Sequence, residues 1–134
     1  MYGSLADRVA IVTGATGGIG GAISRRLVGA GANCLLLGRD AERGQQVVDS
    51  CDGPGSARFE VCDITNPEDV TRAVKIARDE LGGLGIVVNN AGVTRDGLIL
   101  RMKDEDFDAV IETNLKSVFL FTRAAAGVMM KGRW

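Results

Sequence analysis

The sequence predicts a doubly wound α/β fold, and two observations carry that prediction. Four short apolar runs alternate with four helix-length segments, and a glycine-rich run joins the first of each. That run, Thr13-Gly14-Ala15-Thr16-Gly17-Gly18-Ile19-Gly20, follows Val9-Ala10-Ile11-Val12 and opens an amphipathic segment. Strand, glycine turn and helix in this order make a cradle for dinucleotide phosphates. Gly14 can take a tight or left-handed conformation, Gly18 lets a pyrophosphate approach the main chain, and Gly20 lets helix pack on strand. The first helical turn adds unpaired N–H groups and a positive dipole end.

The elements follow in order. The first strand reads from Arg8 to Thr13, and the second from Asn33 to Gly38 around Cys34-Leu35-Leu36-Leu37. The third, Arg58 to Cys62, alternates, and the fourth, Leu84 to Asn89, carries Ile86-Val87-Val88. Short apolar runs of this kind suit strands buried on both faces. Helices are expected over Gly18 to Ala30, Asp40 to Cys51 and Pro67 to Leu81. The third has a clear start, with Asn66 ahead of Pro67 at the first helical position and acids at Glu68 and Asp69. Gly31, Gly53 and Gly82-Gly83 stand where these helices stop. A fourth helix is expected from about Asp104 to Met130, with a bend midway.

The pattern βαβαβαβα implies a parallel sheet with right-handed crossovers and helices on both faces. The expected strand order is 3-2-1-4, one mononucleotide-binding half plus the first strand across the switch point. Residues 1–134 read as a single dinucleotide-binding domain, a partial Rossmann fold truncated before strand five.

Bulk composition fits this reading. A chain of 134 residues suits one domain and buries roughly two-thirds of its unfolded surface. Hydrophobic residues make up 46% and charged residues 25%, as in ordinary globular proteins. The formal net charge of −1, with acids and bases interleaved, gives no nucleic-acid footprint. No apolar run approaches the roughly 18 residues of a membrane span, and the start MYGSLADR lacks a signal-peptide core. A cytoplasmic location is expected. Cys34, Cys51 and Cys62 form no C-x-x-C and the chain has no histidine, so no metal site is expected. These cysteines are expected to pack as small hydrophobes.

Several motifs agree in type, order and spacing over residues 5 to 131, and together they resemble the first half of a short-chain dehydrogenase/reductase. The glycine run matches the family's T-G-x-x-x-G-x-G pattern at Thr13, Gly14, Thr16, Gly18, Ile19 and Gly20. Asp63, followed by Ile64, matches the acid that usually meets the adenine. Asn89-Asn90-Ala91-Gly92 matches N-N-A-G, placing Asn90, Ala91 and Gly92 beside the cofactor, and Asn114 matches the helix asparagine of the catalytic group. The run Val93-Thr94-Arg95-Asp96-Gly97-Leu98, then Arg101-Met102-Lys103-Asp104, resembles the 3-oxoacyl-(acyl carrier protein) reductase branch. The resemblance implies an oxidoreductase fold of fatty acid biosynthesis that uses NADP(H).

Plainer roles compete at each position. Asn89 and Asn90 can close a strand end, and Asp63, Thr65 or Asn66 can cap a helix. Asn114, with Leu115, Val118 and Phe119 nearby, is expected to be at least partly buried and bonded to backbone or water. After the second strand comes Gly38-Arg39-Asp40, without the acid that an NAD binder usually places there. A guanidinium at Arg39 can fork onto a 2′-phosphate, which favours NADP(H). Its alternative is surface pairing with Asp40 or Glu42. Two departures from relatives stand out: Gly17 replaces a basic residue in the loop, and Gly85 replaces an Asp ahead of strand four.

The resemblance also implies a catalytic Tyr, Lys and Ser, yet the only tyrosine is Tyr2 and no Y-x-x-x-K occurs. The chain is therefore expected to be inactive alone. The apolar last helix and the open edge of strand four predict self-association, most simply a two-fold dimer. Three readings follow: a silent nucleotide-binding half, a half complemented in trans by a catalytic chain, and a non-enzymatic scaffold.

Overall fold

A computed structural model describes residues 4–134. Tyr2 therefore lies outside the described residues. Four parallel strands, β1 (Val9–Val12), β2 (Asn33–Gly38), β3 (Ser56–Val61) and β4 (Ile86–Val88), form one sheet in the order β3-β2-β1-β4. Five α-helices accompany them: α1 (Gly18–Gly29), α2 (Ala41–Asp49), α3 (Pro67–Glu80), α4 (Asp104–Ile111) and α5 (Ser117–Gly132). The strand order matches the sequence reading.

Alternation along the two central strands feeds two separate cores. Val9, Ile11, Leu35 and Leu37 point to one side, where Val70, Ala73, Val74 and Ala77 of α3 and Leu120, Phe121 and Ala125 of α5 cover them. Ala10, Val12, Cys34 and Leu36 point to the other, under Val28 of α1 and partly buried Val47 and Val48 of α2. This is why both strands read as unbroken apolar runs: each residue meets a helix layer, whichever way it faces.

The helix starts follow local chemistry. Asp40 accepts from the Arg43 N–H at 3.0 Å, and Asn66 accepts from the Glu68 and Asp69 N–H groups at 2.9 and 3.4 Å. Pro67 occupies the first turn of α3.

Among the strands, β3 and β4 differ most from expectation. β3 begins at Ser56, where the ladder to β2 starts: the Ser56 N–H donates to the Ala32 carbonyl at 3.2 Å in the register Asn33↔Ser56, and the Ser56 hydroxyl donates to the Asn33 side chain at 2.8 Å. β4 is only three residues long, Ile86–Val88, since only these pair with β1. The long last helix is interrupted rather than smoothly bent. A π-helical turn at Glu112–Lys116 separates α4 from α5, and the Ser117 hydroxyl donates to the Thr113 carbonyl there.

The sheet margins differ. On β3, Arg58 bonds Glu60 and also Glu80 of α3, so charge lines that edge. On β4, Ile86, Val87 and Val88 pair only with β1 among the described residues. Ahead of β4, Gly85 faces the Trp134 ring, whose other partner is the Arg8 guanidinium, 4.1 Å from the ring centroid.

Candidate functional site

The C-terminal ends of β1, β2 and β4 open into a cleft of about 540 Å³. Its floor is the glycine loop, which enters α1 through Gly14 at φ 61°, a left-handed conformation that suits glycine. A Cβ on Gly14 would come 2.8 Å from the Ala91 Cα, so a side chain here is excluded twice over. A Cβ on Gly20 would strike the Gly14 carbonyl, whereas one on Gly18 would meet nothing within 4 Å. That open space over Gly18 is where a phosphate can approach the main chain.

The start of α1 is left uncapped. Gly17, its N-cap, supplies no side chain, and the Gly18, Ile19 and Gly20 N–H groups find no acceptor among the described residues. Three convergent donors at a positive helix end make an anion site. The Ile19 side chain stands 72% exposed on the same cleft wall.

Thr13 and Asn90 lock the loop to the end of β4. The Thr13 hydroxyl donates to the Val88 carbonyl at 3.3 Å and accepts from the Asn90 and Ala91 N–H groups at 3.1 and 3.0 Å. The Asn90 amide donates to the Thr13 and Gly14 carbonyls at 3.2 and 3.1 Å. Thr13 and the Asn90 side chain thus brace the cleft, while Gly14, Thr16, Asn90, Ala91 and Gly92 line it.

Asn114 corrects the sequence reading. It is exposed rather than partly buried, and it lies in the π turn outside the residues that line the cleft, next to Thr113, which does line it. Its partners are the expected backbone groups: it donates to the Val93 carbonyl at 2.9 Å and accepts from the Val93 N–H at 2.8 Å. Both ends of the amide are therefore spent on holding the Gly92–Val93 loop against the helix.

Arg39, just after β2, and Ile64, after β3, line the cleft. Asp63 does not; it borders a shallow neighbouring depression with Thr65 and Asn66. Arg39 pairs with neither Asp40 nor Glu42; its guanidinium lies 3.5 Å from Asp63. The Thr65 hydroxyl and N–H donate to Asp63 at 2.7 and 3.0 Å, and with Arg39 they hold its carboxyl below the ordinary range. Arg43 and Thr113 also line the cleft without a motif of their own, as does Val93, which the sequence marks only as part of the branch motif. For Arg43 the available signal was its spacing, four residues after Arg39 across a helix start.

Cys62 sits buried in the cleft wall. Burial pushes the Cys62 and Cys34 thiols up to about 12, while Cys51, raised less, is only half-buried. At pH 8 both buried thiols stay protonated and unreactive. A disulfide reagent is expected to titrate Cys51 rapidly and the other two only on unfolding; three fast thiols would contradict the packing.

A parallel sheet, a glycine loop under an uncapped helix and a cleft at the strand switch point define a dinucleotide-binding α/β protein. Sequence comparison narrows this further. The profile of the family described as short chain dehydrogenase matches residues 8–134, and the chain belongs to that family. It is 40% identical over 130 residues to the 3-oxoacyl-(acyl-carrier-protein) reductase of Vibrio cholerae, covering 97% of this chain and 52% of the relative. The corresponding Escherichia coli reductase is 39% identical over 126 residues, with 94% and 51% covered. Among solved structures, a short-chain dehydrogenase/reductase from Mycobacterium marinum superposes with a TM-score of 0.90 at 35% identity, covering 96% of this chain and 51% of that one. A metagenomic short-chain oxidoreductase in complex with NADP gives 0.88 at 34%, covering 95% and 58%. The chain thus spans about half the length of the curated relatives it matches.

Proposed function

We propose that this chain is the NADP(H)-binding half of a short-chain dehydrogenase/reductase similar to 3-oxoacyl-(acyl carrier protein) reductases. The observation that carries this is the trio of acceptor-less N–H groups at Gly18, Ile19 and Gly20, opening into a cleft with Arg39 at its far end. The first suits a pyrophosphate, and the second suits a 2′-phosphate. The NADP complex of a structural neighbour and the reductase relatives support the same choice. Thr13, Asn90, Ala91, Gly92 and Asn114 keep the cleft in shape, and Asp63 supplies the counter-charge to Arg39.

Hydride transfer to a carbonyl needs a positioned proton donor. These 134 residues hold one tyrosine, Tyr2, and no tyrosine followed four residues later by lysine. A polypeptide of these residues alone is expected to bind coenzyme without reducing a 3-oxoacyl thioester. Calorimetric titration with NADPH, with NADH as control, tests the reading; saturable binding that favours NADPH supports it. No heat from a folded sample would leave the scaffold reading. NADPH consumption gained on adding a chain that carries the Tyr and Lys would favour complementation in trans. A cytoplasmic setting suits three free thiols.

A second observation favours self-association. Phe107, Leu115 and Phe119 are 60%, 63% and 58% exposed, with Ile111 between them at 38%. A spacing of four overshoots an ideal helical turn by about 40° per step. The wider π turn at Glu112–Lys116 offsets that drift. Acids cluster at the α4 end (Asp104, Glu105, Asp108) and bases toward the α5 end (Arg123, Lys131, Arg133). A two-fold, antiparallel pairing of α4–α5 would set opposite charges together around this stripe. Leu115→Asp with Phe119→Asp is expected to shift a dimer to monomer in analytical ultracentrifugation. An unchanged sedimentation coefficient would move the interface elsewhere, β4 included.

A further inference from the structure

The glycine loop contains no basic residue, so any charge opposing a ribose phosphate must come from the β2 end of the cleft. Two arginines stand there. Arg39 follows the last residue of β2, Arg43 lies in the first turn of α2, and both line the cleft. Asp40 lines the cleft between them and offsets part of their charge, while its carboxylate accepts from the Arg43 N–H at 3.0 Å as the cap of α2; the phosphate therefore needs both cations. Arg39 has one ion-pair partner, Asp63, at a loose 3.5 Å, and its side chain is 71% exposed. An exposed pair of this kind exchanges readily for a stronger anion. The Arg43 guanidinium forms no ion pair among the described residues.

We propose that Arg43 acts with Arg39 as a second ligand for the coenzyme's 2′-phosphate and is a specificity-determining residue. The proposal rests on the nucleotide-binding reading of the cleft. Its chemistry is that of a phosphate monoester, which carries roughly −1.5 to −2 charge at pH 7 and three terminal oxygens. One forked guanidinium satisfies two of those oxygens and about one unit of charge. The third oxygen and the remaining charge call for a second cation, and Arg43 is the one that shares the cleft. Arg39 leaves Asp63 for the phosphate, while Arg43 has no ion pair among the described residues to give up.

Calorimetry with NADPH and NADH on the wild-type chain, Arg43→Gln, Arg43→Lys and the Arg39→Gln/Arg43→Gln double variant tests this, at one ionic strength and with circular dichroism confirming folding. Arg43→Gln is expected to weaken NADPH by about tenfold or more and to leave NADH within about twofold. Arg43→Lys should recover part of the loss, and the double variant should bind the two coenzymes alike. Unchanged NADPH affinity in Arg43→Gln overturns the proposal. So does an equal loss for both coenzymes, which would place Arg43 in the integrity of α2. A wild-type chain that binds NADH as tightly as NADPH overturns this proposal and leaves the cleft reading standing; one that binds neither removes both.

Discussion

Gly20→Ala is expected to destabilise the chain by about 1–3 kcal/mol and to weaken coenzyme binding by at least about tenfold. The added methyl would strike the Gly14 carbonyl and come 2.9 Å from the Ala15 Cα and 2.7 Å from the Asn90 amide nitrogen. Two of the three obstacles are backbone, so no rotamer change relieves them. Relief requires α1 to lift off β1, which spreads the Gly18–Gly20 donors and pulls Asn90 from the carbonyls it braces. Gly18→Ala is the matched control, since its methyl meets nothing within 4 Å of the empty protein. It should unfold in urea like the wild-type chain and lose only coenzyme affinity. Equal stability of the two variants would show that the glycine loop has another conformation in solution.

Phe121→Ala is expected to cost about 3–5 kcal/mol, the largest effect of any single truncation considered. Phe121 is fully buried among β1, β2, α3 and α5, beside Leu120 and Ala125. Domains hold roughly 5–15 kcal/mol in total, so a loss of this size brings the chain near its unfolding limit at room temperature. Met130→Ala, on the same helix and 77% exposed, should change the unfolding free energy by no more than about 0.5 kcal/mol. Urea titration of both variants gives the comparison. A cost below about 1 kcal/mol at Phe121 would mean that α5 does not seal that side of the sheet.

What could be read from sequence was what neighbouring residues decide. The glycine loop, the Asn66 cap, the two-faced burial of Cys34 to Leu37 and the strand order all follow from local pattern plus the rule of right-handed crossovers. What could not be read depends on partners distant in the chain. Asn114 looked half-buried because its sequence neighbours are apolar, yet Leu115 and Phe119 face outward and its bonds go to Val93, 21 residues away. The π turn left no compositional mark, since Glu112, Thr113, Asn114, Leu115 and Lys116 suit an ordinary helix as well. Arg39 found Asp63 instead of its neighbours because parallel pairing sets the ends of β2 and β3 side by side. Arg43 was hidden by its resemblance to any charged residue on a helix surface.

The unequal margins of the sheet fix its valence. Arg58, Glu60 and Glu80 close the β3 side to an incoming strand, and Ile86-Val87-Val88 leaves the β4 side receptive. A sheet receptive on both sides is bifunctional and can polymerise without limit. One receptive on a single side is a chain terminator: once two such edges meet about a two-fold axis, nothing remains to extend. A strand that completes β4, from this polypeptide or from another, leaves the described sheet no second receptive edge.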